Sequence, residues 1–511
     1  MENPRIRALG QPLFRMIIPK HPELNIFSGI GITALGPIMV ATMASKLPGW
    51  QVEVIDENLY TSPRDSHGLP DHQILQKLNP ATVVGFYCGL TSTMERVWDL
   101  AEFYHQQGSV TIAGAWHSHY CPEETLAKNI DIVVHGAGEY AIGQILRAIA
   151  SGGSIENIPG ISFIHNEQTK TNEPKMIEIA CQDDLPRPDF GLLTHAKRIK
   201  YYSISRIRGC NSRCEFCSVN GKPNWASAYH LFETVNWLVD SRRAKKFFIV
   251  DDNSGADIPG TIEFFKLIAQ RYGKSLKFTV QVRLEAAANT KLLEVMKSAG
   301  VAVVCIGYES PIDEDLKAMH KGYQSSQMLK WTKVYRSYGF RIHAMFIFGY
   351  PAKDNKSQIS ALEMEKRFKR FIRQAHFDTI QVLHPVPIVG TALRDRLMAE
   401  GRVFPLDILP YSCYDGSWAC FRPDNMTVQE LQEIPTRIMK WFYSFFSFLR
   451  IPFWTIIFPF DYLVRGWERW RRHWYRDVVK GGGHILLVRW RNRHKGDIFL
   501  KKLQEYISAK K

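Results

Sequence analysis

The chain has 511 residues, 45% hydrophobic and 23% charged, with a formal charge of +15. This balance excludes a disordered or fibrous chain, and the length exceeds what one hydrophobic core organises, so two or three domains are expected. Nine cysteines without a paired framework exclude a disulfide-stapled module and fit reduced thiols in a cytoplasmic setting.

No secretory signal is read at the start, because Met1–Gly10 is polar and the apolar run Leu13–Ile18 is short and carries Arg15. Leu13–Ile18 is instead the first of five candidate strands, followed by Val52–Ile55, Val83–Tyr87, Val110–Ala113 and Ile130–Val134. Helical stretches such as Ala34–Lys46 and Glu95–Gln106 alternate with them, which predicts a doubly wound, flavodoxin-like parallel sheet. Such sheets bind ligands beyond the carboxyl ends of their strands. There the sequence places Thr91 and Ser92, Gly114 ahead of His117, and Gly136 and Gly138 ahead of Glu139; the small residues at these turns let a ligand approach the backbone.

A linker with Gly-Gly, Pro-Gly and Pro-Arg-Pro punctuation follows, with a small hairpin expected around Ile161–His165. Tyr201–Ile207 (YYSISRI) reads as a strand and Leu231–Val239 has helical periodicity. Between them stand Cys210, Cys214 and Cys217 at C-x3-C-x2-C spacing. Further strands are predicted at Phe247–Val250, Phe278–Val282, Val301–Ile306, His343–Phe348 and Thr379–Leu383. Their ends carry Asp251, Asp252 and Asn253, then Arg283, then Gly307, Tyr308, Glu309 and Ser310. Six parallel strands are too few for a closed eight-stranded barrel, and polar residues gather at the end where barrels keep their chemistry.

Three thiolates on one short loop can hold an iron–sulfur cube and leave one iron without a protein ligand. Three unconnected thiols or a zinc clip are the alternatives; a zinc site would bring a fourth ligand at short spacing, and the nearest downstream histidine, His230, is thirteen residues beyond Cys217. With Phe216 just before the last cysteine, the segment resembles the radical S-adenosylmethionine (SAM) enzymes. The resemblance implies that Cys210, Cys214 and Cys217 ligate a [4Fe-4S] cluster whose open iron binds SAM, and that the six strands form a partial (β/α)6 barrel. It implies further that Glu309 and Ser310, in a G-x-E-S element, contact SAM. Arg283 is placed where a cation could pair with the SAM carboxylate, and Asp252 lies in a D-D-N turn common in one subgroup. The alternative for each is a helix cap or a structural salt bridge.

The amino-terminal part resembles the cobalamin-binding domain that precedes the barrel in that subgroup. The matching residues are Thr33 to Pro37, Val54 to Asp56, Gly114 to His117 and His135 to Glu139. A D-x-H-x-x-G motif is absent, since Asp65-Ser66-His67 is followed by Gly68-Leu69-Pro70 and comes after the second strand. The lower face of cobalt is therefore unassigned, and a flavodoxin-like domain that no longer binds a corrinoid is the alternative.

Trp441–Val464 (WFYSFFSFLRIPFWTIIFPFDYLV) is nearly continuous apolar sequence broken by Arg450, Pro452, Pro459 and Asp461, which argues against a spanning helix. Residues 465–511 hold 14 Lys or Arg against 4 Asp or Glu, with Trp467, Trp470, Trp474 and Trp490 interleaved. An aromatic wedge before a cationic tail predicts a membrane-contacting segment over 441–464. Nucleic acid is the competitor for the basic tail, disfavoured by the apolar stretch, and a helical region packed on the barrel is the third reading.

The division expected is 1–155 cobalamin-binding-like, 156–195 linker, 196–400 radical SAM barrel and 401–511 a mostly helical, aromatic and basic region. The order of domains, with HPVPIVGT at 384–391 and FRPDNMT at 421–427, resembles the subgroup that includes the hopanoid methylases. It implies a cobalamin-dependent methyltransferase acting on an unactivated carbon of an apolar or lipid-like substrate, fed by a reductant such as flavodoxin or ferredoxin. The expected location is cytoplasmic, associated with the cytoplasmic face of a membrane. The alternatives are radical cyclisation or other carbon–carbon bond formation without methyl transfer and, from another class, a non-catalytic iron–sulfur or corrinoid redox or sensor protein.

Overall fold

The computed structural model describes residues 11–22, 29–219, 221–352, 359–456, 458–493 and 496–509. It divides into two units, Met1–Gly209 with Gly221–Asp252, and Cys210–Asn220 with Asn253–Lys511.

In the first unit, β1 (Leu13–Ile18) is buried at every position, which a strand tolerates only when both sheet faces are covered. Even Arg15 lies inside. Its guanidinium is satisfied by Glu53 (2.7 Å), Tyr104 (3.0 Å), Gln76 (3.1 Å) and the Asn79 carbonyl (2.7 Å), so the residue that argues against a signal sequence is a structural one. β2 (Gln51–Asp56), β3 (Val83–Tyr87), β4 (Val110–Gly114) and β5 (Ile132–Val134) join it in parallel. The hairpin β6 (Ile161–His165) and β7 (Gln168–Thr171) adds two antiparallel strands at one edge. The order β2-β1-β3-β4-β5-β6-β7 reverses between β1 and β3, and beyond that switch point a doubly wound sheet has its ligand crevice.

The strand predicted over Tyr201–Ile207 is two strands, β8 (Tyr202–Ile204) and β9 (Ile207–Arg208). The break has a tertiary cause. The buried Asp251 carboxylate accepts the amides of Arg206 (2.6 Å) and Ile207 (2.9 Å) and the Ser205 hydroxyl (3.0 Å), drawing this backbone out of the ladder. β9 pairs antiparallel with β10 (Asn224–Trp225), whereas β8 pairs in parallel with β11 (Lys246–Ile249). The intervening helix, Ala228–Arg242, outruns the predicted Leu231–Val239, because Ser227 caps its amino end and Arg243 closes it in the left-handed conformation.

The second unit contributes β12 (Lys277–Gln281), β13 (Val301–Glu309), β14 (Arg341–Ile347) and β15 (Thr379–Leu383), paired in parallel in that order with helices between them. With β8 and β11 they make six strands of one sheet after the linker, the number expected of a partial barrel, while β9 and β10 stand apart as an antiparallel pair. β13 runs three residues beyond the predicted Val301–Ile306 because Gly307 and Glu309 still pair with β14, across a register shift between them. The carboxyl-terminal region is helical: Val428–Phe442, Phe446–Ile456, Phe458–Arg465, Trp467–Arg493 and Gly496–Ala509. Among the described residues no helix is long and apolar enough to cross a membrane.

Candidate active site

In the second unit the loop carrying Cys210, Cys214 and Cys217 is fastened at its middle residue. Glu215 donates its amide to the Met319 carbonyl (3.3 Å) and accepts the Leu393 amide (3.0 Å). Its buried carboxylate accepts Arg396 Nε (2.8 Å) and Nη2 (3.1 Å) and the Tyr350 hydroxyl (2.7 Å). All three cysteines are half-buried free thiols. The Cys217 thiol is pushed up to about 11, by burial first and then by the neighbouring Cys214 and Cys210 sulfurs. A buried thiol beside two other sulfurs is costly to ionise, and a bound metal would offset that charge. Glu215, the carboxylate inside the loop, is committed to Arg396 and Tyr350 and adds no fourth ligand to the three thiols, which fits an iron–sulfur cube with one iron left open.

Two cationic groups face this loop. Arg283, at the end of β12, donates to Ser212 and, at 2.5 Å, to Glu285, and its carbonyl accepts the Tyr335 hydroxyl (3.0 Å). Lys321, which the sequence reading missed, pairs with Glu309 at 2.9 Å, with both side chains about nine-tenths buried. Its ammonium sits 5.8 Å from the Phe216 ring centroid. Burial, the largest single influence, would lower the Lys321 pKa, but the Glu309 carboxylate together with Tyr323 and the Cys214 sulfur outweighs it and the net direction is up. A charged residue eleven positions after a G-x-E-S element is too weak a signal to have found it.

Glu309 itself has φ +61, an uncommon backbone for a residue with a side chain, and its carboxylate turns back toward Gly307, where a Cβ would lie 2.3 Å from Oε1. The register shift in β13 aims it there. Ser310, by contrast, is spent structurally. It is fully buried, donates to Asp315 (2.6 Å) and accepts the Ile312 amide (3.2 Å).

In the first unit, Asp252 accepts the amide of Gly209, the residue before Cys210, at 2.7 Å. Arg208 donates to the buried Glu139 at 2.6 Å. Thr91 and Ser92 are buried in the turn after β3, and Thr91 Oγ1 lies 3.3 Å from His117 Nδ1. Gly114 ends β4, and the next residue, Ala115, holds φ +86. Gly136 has φ +77, and a Cβ there would meet the Ile177 carbonyl at 2.2 Å, so packing already demands glycine; at Gly138 a Cβ would meet only the Val40 side chain, at 3.2 Å. The D-x-H segment is an Asp-capped turn, with Asp65 accepting the amides of His67 and Leu69 at 2.9 Å. The loops expected to cradle cobalamin thus all follow the carboxyl ends of β3, β4 and β5, and one holds a strained alanine, which fits a ligand crevice there.

Residues 204–359 match the model of the Radical SAM superfamily. An uncharacterized methyltransferase of Pyrococcus horikoshii is 26% identical over 360 residues, covering 67% of this chain and 75% of that protein. The hopanoid C-2 methylase of Rhodopseudomonas palustris is 22% identical over 382 residues, covering 72% of this chain; the match spans just under two thirds (65%) of the methylase. The fold is similar to that of the cobalamin-dependent SAM radical enzyme OxsB, solved with aqua-cobalamin and SAM bound. The TM-score is 0.63 at 15% identity, with 98% of this chain and 76% of that chain covered.

Proposed function

We propose that this chain, whose residues 204–359 match the Radical SAM superfamily, is a cobalamin-dependent methyltransferase acting on an unactivated carbon of an apolar, lipid-like substrate. Cys210, Cys214 and Cys217 hold a [4Fe-4S] cluster and leave one iron open to SAM. When bound, the cluster supplies the electron that splits the SAM sulfonium and cobalamin carries the methyl group. The chain's own residues bind, orient and exclude water. Arg283 and Lys321 present positive charge to the carboxylate of SAM, Glu309 faces its amino group, and Asp252 fixes the entry to the cysteine loop. Ser310 holds the turn that follows Glu309 through Asp315. Thr91, Ser92, Gly114, Gly136 and Gly138 line the corrinoid crevice at the switch point of the first sheet.

The observation that carries this reading is the strained Glu309, paired with Lys321 on the same unit as a cysteine loop clamped through Glu215. The methylase relative supports a lipid-like substrate. A low-potential reductant such as flavodoxin or ferredoxin supplies the electron. The enzyme works in the cytoplasm, with 441–464 and the basic residues behind it lying on the membrane surface. The functional division is 1–155 for cobalamin, 156–195 linking, 196–400 for radical chemistry and 401–511 for membrane and substrate approach.

The test is anaerobic reconstitution followed by reduction with SAM. Cleavage to 5'-deoxyadenosine is expected, and Cys214→Ala should lose iron, sulfide and cleavage together; retained cleavage rejects the ligand assignment. SAM carrying a labelled methyl group should label both the cobalamin and the product. A product without label would keep the radical step and reject methyl transfer.

A further inference from the structure

We propose that the outward face of the helices Phe446–Ile456 and Phe458–Arg465 seats this protein on an anionic lipid bilayer, entering the headgroup layer without crossing it. This deepens the membrane reading given above to a defined surface, and rests on it. Phe446, Leu449, Phe453 and Ile456 recur at three, four and three residues along the first helix, and Phe460 and Leu463 carry the series on at four and three. All six are between 54 and 79% exposed. An apolar stripe of this period is what a helix of a globular protein turns inward. Here it faces out.

The first of these helices is held on its other side by protein. Its Phe448 lies against Gly481 of the helix Trp467–Arg493, and Tyr443, in the turn that leads into it, lies against Gly483; a Cβ on those glycines would come within 2.9 and 2.4 Å of the rings. The Tyr443 hydroxyl also donates to the Ile380 carbonyl of β15 (2.7 Å). The exposed stripe therefore belongs to a built element held in one orientation.

A lipid surface is the occupant that the remaining observations select. Neither helix is long enough to span a bilayer, and Pro452 interrupts the first. At the start of the next helix Trp467, Trp470 and Trp474 form a stacked row, 5.2 and 6.1 Å between successive centroids, and Tyr462 touches the first of them. Indole rings in a row beside an apolar face suit the boundary between headgroup and acyl chain. Exposed Arg450 and Arg471 lie in the same stretch, and 465–511 has a net charge of +10, complementary to anionic lipid and superfluous for an apolar protein groove. A lipid-like substrate would then be met where it resides.

Full-length protein should be sedimented with vesicles of phosphatidylcholine alone and of phosphatidylcholine with about one third phosphatidylglycerol, at low and high salt. The expected result is binding to the anionic vesicles that weakens with salt. Phe446→Ser with Leu449→Ser and Ile456→Ser should lower that binding by about tenfold or more, with unchanged circular dichroism and unchanged SAM cleavage. Equal binding by the variant overturns the proposal, as does absence of binding by the parent. A parent dimer that the three substitutions split into monomers, without vesicle binding, would assign the face to a second copy of the chain. Because SAM cleavage is read separately, failure on vesicles leaves the radical reading standing.

Discussion

Replacing Glu215 by alanine tests whether the cysteine loop is pinned through its own side chain. The carboxylate is 3% exposed and its partner guanidinium 17%, and the substitution removes three hydrogen bonds at once, two from Arg396 and one from Tyr350. Breaking a buried pair by deleting one member costs about 3–5 kcal/mol. Arg396 keeps the Pro351 and Ala352 carbonyls and Glu400 as partners, so the lower figure applies, about 3 kcal/mol. In a unit of this size that is roughly 5–6 °C of melting temperature. Loop path and loop rigidity separate here. The backbone bonds of Glu215 to Met319 and Leu393 survive, so the thiols remain on one loop while its side-chain clamp is gone. Anaerobic melting, together with iron and sulfide content after reconstitution, is the assay. The Ala variant should melt lower and load less iron, and Glu215→Gln should fall between it and the parent. Combined with Arg396→Ala, the losses should be strongly sub-additive. A change below about 0.5 kcal/mol, or simple additivity, refutes the clamp.

Two pH effects follow from buried carboxylates. Asp315 is raised to about 7, by burial first and despite the Ser310 hydroxyl. Its folded value lies above its unfolded one, so its contribution is full below about pH 4 and is lost as pH rises through 7. Asp315→Asn keeps an acceptor for Ser310 and should therefore melt higher than the parent at pH 8, with the gap closing toward pH 4. Glu57 has the opposite sign. Burial would raise it, but bonds from His72 (3.1 Å) and Arg96 (2.6 Å) hold it down at about 2, so its stabilisation is present above about pH 4.5 and lost as pH falls toward 2. Arg96→Met should move the onset of acid unfolding to higher pH, measured by circular dichroism.

Local sequence carried much of the fold. β1, β3 and β15 begin and end at the predicted residues, because runs of β-branched and aromatic side chains bounded by turn residues leave little choice. It failed where a distant group decides. The break at Ser205 and Arg206 comes from Asp251, some forty-five residues on, and the lengthening of β13 comes from pairing with Met345 and Phe346 on β14. The candidate site divides in the same way. The cysteine spacing is visible because three ligands of one metal centre fall on one loop. Lys321 and Arg396 are ordinary cations in the sequence and gain their roles from burial beside Glu309 and Glu215. Ser310 shows the converse, a motif residue whose hydroxyl is consumed by a turn.

Two strained residues stand at comparable places, one in each unit. Ala115 and Glu309 both adopt positive φ, and both sit where a parallel strand, β4 in one unit and β13 in the other, gives way to its loop. Glycine would satisfy either backbone without strain, about 1–2 kcal/mol more cheaply. At Glu309 the side chain explains the choice, since glycine would forfeit the carboxylate that holds Lys321 beside Phe216. Ala115 has no polar group to place, so its strain is a matter of backbone direction: it turns the chain from Gly114 into the short helix Trp116–Tyr120 and sends His117 inward against Thr91. Both are costs carried at the ends of strands where α/β folds keep their ligands, in positions that packing of the core alone does not require.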